Sequence, residues 1–314
     1  MDVAVIGTGR WGMNLVKTLY QLSVLRAVAD QLEVLCGRIK SEYTDIKVST
    51  DYRIFLTDSN IKAVVIATPA PTHYRIAKEA LLAGKDVFIE KPMTLFATEA
   101  EELAALAKQK NKILMVGHLL LYQSAVQWIK DYLDSGELGE LNSLHQERLG
   151  LGRARETENV LWDLGVHDLA VILYLTGIRP LSSQISGQQR LRQGIEDDIY
   201  LHLTFQNNVQ AHIHTSWLWP KRRRQLTITG TKGMLVYDEI EQTVTLYRNG
   251  INKSDLSNWD EGAELVFKGD GAPLTREMKH FLGCIEKRKA PISDGRSGAD
   301  VIKVLENVTN QLRI

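Results

Sequence analysis

Short, fully apolar runs alternate with helical spacing through the first third of the chain. Val3-Ala4-Val5-Ile6, Ala63-Val64-Val65-Ile66-Ala67, Val87-Phe88-Ile89 and Ile113-Leu114-Met115-Val116 have the length and uniform apolarity of strands buried on both faces, as in a parallel sheet. Between them Leu15, Leu19 and Leu22, then Ile76, Ala77, Ala80 and Leu81, then Leu103, Leu106 and Ala107 recur at helical intervals. Gly84 reads as a helix C-cap, and Thr98 with Glu101 as a capping box. Parallel strands joined by helices require right-handed crossovers, so residues 1–118 are predicted to form an α/β domain with a doubly wound parallel sheet.

After Gly117-His118 the pattern changes. A helix near Ser124 to Asp134 leads to a strand around Leu144 to Arg148, then to a basic, glycine-containing loop from Gly150 to Glu158. A long apolar helix from about Val160 to Leu175 ends at Gly177 and Pro180. Period-two strands follow: Ile199, Leu201, Leu203 and Phe205 share one face, as do Val209, Ala211, Ile213, Thr215 and Trp217, with Asn207-Asn208 at the hairpin turn. Further strands are expected near Gln225 to Ile228, Met234 to Tyr237 and Thr243 to Tyr247, and closing helices near Leu274 to Lys287 and Ser297 to Leu312. Residues 119–314 thus read as an α+β domain, a largely antiparallel open-faced sheet flanked by helices, whose open face is available to a second sheet or subunit.

Composition narrows the partners. The 314 residues exceed what one small core organises, in keeping with two domains. Lysine plus arginine equals aspartate plus glutamate at 38 each, so the net charge is zero and no global basic excess points to nucleic acid or an anionic membrane. The N-terminus enters a strand with no basic leader, and no segment approaches ~20 apolar residues, which predicts a soluble, cytoplasmic protein. Cys36 and Cys284 are too few for a disulfide framework or a zinc site. His212 and His214 alternate along one strand without a carboxylate cluster, so they are read as structural or as part of an oligomer face, and no metal is expected.

Gly7-Thr8-Gly9-Arg10-Trp11-Gly12 fits G-x-G-x-x-G between the first strand and the first helix, the fingerprint of a dinucleotide-binding Rossmann domain. The glycines admit a tight turn and close approach of backbone amides to a pyrophosphate, which the helix N-terminus favours. Asp30 ends the second strand at the required distance; it can accept from both adenosine ribose hydroxyls and would repel a 2′-phosphate, which favours NAD over NADP. Arg10 and Arg38 are the residues able to meet a 2′-phosphate instead. Thr68-Pro69-Ala70-Pro71-Thr72-His73 forms a rigid loop after the next buried strand, suited to line the nicotinamide side, with Thr72 also a helix N-cap.

Two segments carry candidate chemistry. Glu90-Lys91-Pro92 ends a buried strand at the edge where open sheets bind ligands; it is either a surface pair before a turn or the presentation of a lysine to a site. In Trp162-Asp163-Leu164-Gly165-Val166-His167 the i, i+4 spacing sets Asp163 and His167 on one helix face, where the carboxylate can fix the imidazole tautomer; a partnered structural histidine has the same spacing.

Together Gly7-x-Gly9-x-x-Gly12, Ala67-Thr68-Pro69 with Thr72-His73, Glu90-Lys91-Pro92, Val116-Gly117-His118 and Asp163-x-x-x-His167 resemble, in order and spacing, the Gfo/Idh/MocA oxidoreductase family over nearly the whole chain. The resemblance implies that Lys91 and His167 flank a substrate carbinol, that Asp163 assists His167, and that Glu90, with Thr68, Pro69 and His73, contacts the cofactor. It also implies a homodimer or homotetramer formed through the open sheet face. More narrowly, Gly117-His118-Leu119-Leu120-Leu121-Tyr122, Glu158-Asn159-Val160-Leu161-Trp162-Asp163 and Ser216-Trp217-Leu218-x-Pro220 with Arg223-Arg224 are similar to the branch acting at C3 of UDP-linked N-acetylglucosamine. Gln123-Ser124 and Trp219 depart from that branch, at positions able to alter which sugar is held. His118, Tyr122, Asn159, Trp162 and Arg223 are then substrate-side candidates, the aromatic ones equally suited to the core. Arg223, in the run Lys221 to Arg224, and Arg153 and Arg155 of the loop are able to meet a diphosphate. A dehydrogenase of free sugars or inositols and a non-catalytic dinucleotide sensor are the alternatives.

Overall fold

The computed structural model describes residues 1–252 and 254–312 and divides into two compact units. The first comprises Met1–Leu119 and Pro273–Lys303. Its strands are β1 (Asp2–Ile6), β2 (Leu25–Ala29), β3 (Lys47–Ser49), β4 (Ile61–Ile66), β5 (Asp86–Glu90) and β6 (Leu114–Gly117). They form one parallel sheet in the order β3-β2-β1-β4-β5-β6, the doubly wound Rossmann order read from the apolar runs. Val3, Val5, Val64, Val65, Phe88 and Ile89 are completely buried, which is why these strands show no polar alternation. The helix Ala97–Gln109 begins one residue before Thr98, and no side chain caps it; Glu101 pairs with Lys303 instead of closing a capping box.

The helix Pro273–Lys287 and the first half of the helix Gly295–Gln311 belong to this first unit, although the sequence pattern puts them with the second domain. Phe281 packs edge-on against Phe88 of β5, with ring centroids 5.7 Å apart. Arg288 pairs with Asp86 at 3.0 Å, and Gly295 and Gly298 pack against Leu114 and Val116 of β6 where a Cβ would collide. The returning helices bury the edge of the sheet that local patterning leaves uncovered.

The second unit holds Leu120–Ala272 and the chain from Val304 on. Its strands are β7 (Leu141–Leu149), β8 (Ser182–Gln188), β9 (Asp198–Thr204), β10 (Gln210–Ser216), β11 (Arg223–Gly230), β12 (Gly233–Asp238), β13 (Thr243–Ile251) and β14 (Asn258–Lys268). They make an eight-stranded sheet, β14-β13-β12-β11-β7-β10-β9-β8, antiparallel except where β7 and β10 run parallel. Asn207 and Asn208 adopt φ of 56° and 59° at the β9–β10 turn, left-handed values that asparagine tolerates. Leu144, Leu201, Ala211, Ile213 and Ile228 are buried on one face, while His145, His202 and His212 stand in register across β7, β10 and β9 on the other. The Nδ1 atoms of His202 and His212 are 2.7 Å apart.

The long apolar helix divides into two geometries. Leu161–Gly165 is a π turn, and Val166–Thr176 continues as α-helix to Gly177, which ends it with φ of +68°. Gly165 lets this segment lie directly on β10, because a Cβ there would stand 2.6 Å from Leu161 Cδ1 and 3.3 Å from Thr215 Cγ2. Among the described residues, no helix is long and apolar enough to cross a membrane.

Candidate active site

The first unit contains a cavity of about 710 Å³ at the C-terminal edge of its sheet, lined by the glycine loop, Asp30, Thr68 and Pro69. The three glycines of the loop differ in what surrounds them. Gly7, with φ of +94°, lies so close to the end of β4 that a Cβ would be 2.8 Å from the backbone of Ala67 and Thr68. A Cβ on Gly12 would be 2.1 Å from Gly7 O, so this glycine brings the helix Gly12–Gln21 against the turn. Gly9 faces open space. This is the cradle a pyrophosphate requires: two positions closed for packing, one left clear for close approach of the ligand.

Asp30 is fixed toward that cavity. Its Oδ2 accepts from Thr8 N at 2.7 Å and Thr8 Oγ1 at 2.8 Å, while Oδ1 accepts from Leu32 N at 3.0 Å. Three donors keep the carboxylate in place at the end of β2, where its charge disfavours a 2′-phosphate. Arg10 lines the cavity and Arg38 does not; Arg53 and Arg75, which no motif marked, line it as well. Arg53 is drawn to Asp51 at 3.6 Å and to Glu79 at 3.5 Å.

His73 does not line the cavity. It is 1% exposed, with Nδ1 2.8 Å from Pro92 O and Nε2 2.8 Å from Thr68 O. Each ring nitrogen faces a backbone carbonyl, so the imidazole lies between the loops after β4 and β5 and the one N–H of its neutral form is spent on one of them. Thr72 occupies the N-cap position but turns its hydroxyl back to Thr68 Oγ1 at 2.7 Å.

Lys91 directly follows β5, half-buried, and its bond to Pro92 is cis. Glu90 accepts from Trp11 Nε1 at 2.5 Å and from Lys91 N at 3.3 Å, in a space that Gly117 leaves by lacking a Cβ. Burial pushes the Glu90 carboxyl up to about 7, against the opposing effects of Trp11 and Lys91. Glu277, from the returning helix Pro273–Lys287, is fully buried, and neither of its oxygens has a hydrogen-bond partner among the described residues. Burial, then the charge of Glu90, raises its carboxyl well above the ordinary range. Sequence reading missed Glu277, though one signal was present: it falls in the apolar stripe of Met278, Phe281 and Ile285. His118 is 3% exposed, and neither ring nitrogen has a hydrogen-bond partner among the described residues; burial and then Lys91 lower it to about 4, so it is neutral at pH 7.

In the second unit the π turn places Asp163 in a defined cage. Trp217 Nε1 donates to Asp163 Oδ2 at 3.1 Å, and Arg155 donates to Oδ1 through Nε at 3.1 Å and Nη2 at 3.0 Å. Asn159 starts the turn: its Oδ1 accepts from Trp162 N at 3.2 Å and its Nδ2 donates to Glu196 at 2.9 Å. The Trp162 indole donates to Thr309 at 2.9 Å, which commits its polar edge to the C-terminal helix. Tyr122 is buried in the turn Leu119–Tyr122, and His167 is half-buried in the first turn of Val166–Thr176.

The residue after His167 anchors that helix to the sheet. Arg148 donates through Nε to both oxygens of Asp168, at 2.7 and 2.8 Å, and through Nη2 to Glu239 at 2.6 Å. Burial pushes the Asp168 carboxyl up to about 6, with Arg148 opposing. Arg224 stands opposite Arg148 in register, on the same side. Arg223 therefore points to the other face, away from the helix of His167, where it pairs with Glu147 at 2.8 Å and Gln225. Period-two alternation separates the two arginines, and the sequence run alone does not fix which one turns inward.

A doubly wound sheet with a glycine cradle, a fixed acidic residue after β2 and a lysine beyond β5 defines an NAD-binding oxidoreductase. Residues 1–118 match the oxidoreductase family with NAD-binding Rossmann fold, and residues 126–236 match the GFO/IDH/MocA C-terminal domain. The chain belongs to the GFO/IDH/MocA oxidoreductase family. It is 27% identical over 305 residues to the UDP-N-acetylglucosamine 3-dehydrogenase of Acidithiobacillus ferrooxidans, covering 96% of this chain and 94% of that protein. The solved structure of that enzyme superimposes with a TM-score of 0.87 at 26% identity, over 99% of this chain and 97% of the other. The scyllo-inositol 2-dehydrogenase (NAD(+)) of Bacillus subtilis is 25% identical over 327 residues, covering 99% of this chain and 93% of that protein.

Proposed function

We propose that this protein oxidises a secondary alcohol of a nucleotide sugar to the ketone, at C3 of UDP-N-acetylglucosamine or a related UDP-amino sugar. The observation that carries this reading is the end-to-end similarity to the Acidithiobacillus enzyme, which spans both units. NAD supplies the hydride acceptor. Gly7, Thr8, Gly9, Arg10, Trp11 and Gly12 hold its pyrophosphate end, Asp30 its ribose, and Thr68, Pro69 and Glu90 its nicotinamide side; His73 supports the loops. Lys91 is the cation for the developing alkoxide, and the hydroxyl proton goes to Lys91 or His167 as base. Asp163 orients His167, while His118, Tyr122, Asn159 and Trp162 shape the sugar side. The protein works as a soluble homo-oligomer that covers the histidine-bearing sheet face with a second copy.

The inositol dehydrogenase relative and the outward direction of Arg223 favour a second reading, oxidation of a free polyol. Purified protein with NAD and a panel of UDP-amino sugars, free sugars and inositols separates the two. NADH formation is expected with UDP-N-acetylglucosamine and not with scyllo-inositol; the reverse outcome establishes the second reading. Lys91→Ala is expected to reduce kcat by about 10²-fold or more while NAD affinity stays within about twofold. Collapse of NAD affinity instead would make Lys91 a cofactor residue.

A further inference from the structure

Asp163 does not present a solitary carboxylate. Its side chain is 8% exposed, and one oxygen takes two hydrogen bonds from a single guanidinium, that of Arg155. Arg155 comes from the irregular segment between β7 and the π turn, in which Leu151 is 82% exposed. The pair is the principal reason that the arginine's affinity for its proton is raised. A charge-assisted contact of this type fixes orientation and cancels much of the carboxylate's field at short range. Arg155 of the loop and Trp217 therefore hold the two oxygens of Asp163 between them, four residues before His167.

Other charged groups border the segment: Glu196 accepts from Asn159 at 2.9 Å, Asp197 is buried beside Trp217, and Arg192 reaches Glu156 O at 3.5 Å. Glu158 stands 3.6 Å from Arg155 on the same loop. Asp168 is tied to Arg148 of β7, which Glu239 also pairs. The strand β10 and the residue after it present Thr215 and Trp217, neither of them ionisable. Arg155 is thus a cation placed on Asp163 from within this unit.

We propose that Arg155 is a positioning residue for proton transfer, a loop-borne clamp on Asp163 that sets the basicity of His167. The proposal rests on the reading of Asp163 and His167 as the proton-handling pair. Removing the guanidinium takes away the positive charge and both hydrogen bonds at Asp163 Oδ1 while the Trp217 bond at Oδ2 stays, so more of the carboxylate's field stabilises the imidazolium of His167 and raises the pH at which the imidazole becomes a base.

The test uses the full chain. In Arg155→Ala, NMR titration of the His167 imidazole should move upward by about one pH unit, and the acid limb of kcat/KM should follow, with kcat/KM at pH 7 reduced about tenfold. Arg155→Lys, which keeps the charge but not the two-point contact, should recover part of both effects. Glu156→Gln on the same loop should change neither. Lost activity with an unmoved His167 titration would show a purely structural arginine and overturn the proposal. A shifted titration in a protein that oxidises no substrate on the panel would leave the clamp standing and remove the functional reading instead.

Discussion

Trp11 Nε1 donates to Glu90 Oε1 at 2.5 Å, which ties the residue before the first helix to the last residue of β5. The bond joins the glycine loop to the residue preceding Lys91. It also favours the ionised form of a carboxyl that burial pushes up to about 7.

Glu90 and Glu277 make stability fall as pH rises. Both folded-state values are raised above the ordinary 4.5 of a glutamate, so their contribution is fully present below that pH and is lost on the way up, for Glu90 through about 7. Glu277→Gln should be more stable than the native protein by about 1–3 kcal/mol at pH 8 and equal to it near pH 4. Thermal unfolding across this range checks the point; an equal gain at both ends would mean that Glu277 does not titrate.

The glycines of the cradle should fail in different ways. Gly12→Ala drives a methyl against Gly7 O at 2.1 Å and should cost about 1–3 kcal/mol of stability. Gly9→Ala adds a methyl to open space, so the melting temperature should hold while NAD affinity drops about tenfold. Calorimetry with and without NAD distinguishes the two, and a destabilised Gly9→Ala would show that the loop needs this glycine for its own folding.

Arg148→Met should be among the most damaging substitutions in the second unit. It strands Asp168, which has no exposed surface, and Glu239 without their shared cation. Breaking a buried pair in this way costs about 3–5 kcal/mol, against near neutrality for wholesale replacement by apolar groups. Urea unfolding measures it, and a loss below about 1 kcal/mol would show that Arg224 takes over the two carboxylates.

The cofactor half was legible because its signals are local. Gly7, Gly9 and Gly12 lie within six residues, and Asp30 ends the next strand, so strand, turn and helix N-terminus fix one another without distant help. The reading of His73 as a cofactor contact had no such support. Its ring is oriented by carbonyls of two different loops, which only the folded sheet brings together. The single apolar helix expected from Val160 onward begins with a π turn over Leu161–Gly165, whose Gly165 lies against Thr215 of β10.

By itself the sequence determined the doubly wound sheet, the glycine cradle, the hairpin at Asn207-Asn208 and the position of Lys91 at a strand end, since each follows from periodicity and backbone sterics over a few residues. Tertiary structure alone decided that Pro273–Lys287 returns to the first unit with Glu277 beside Glu90, that Arg224 rather than Arg223 shares the face of Asp168, and that Arg155 holds Asp163. These relationships depend on register and on contacts between residues far apart in the chain. A one-residue change of pairing would reverse the arginines, and burial, which composition does not locate, turns an ordinary glutamate into a proton-holding one.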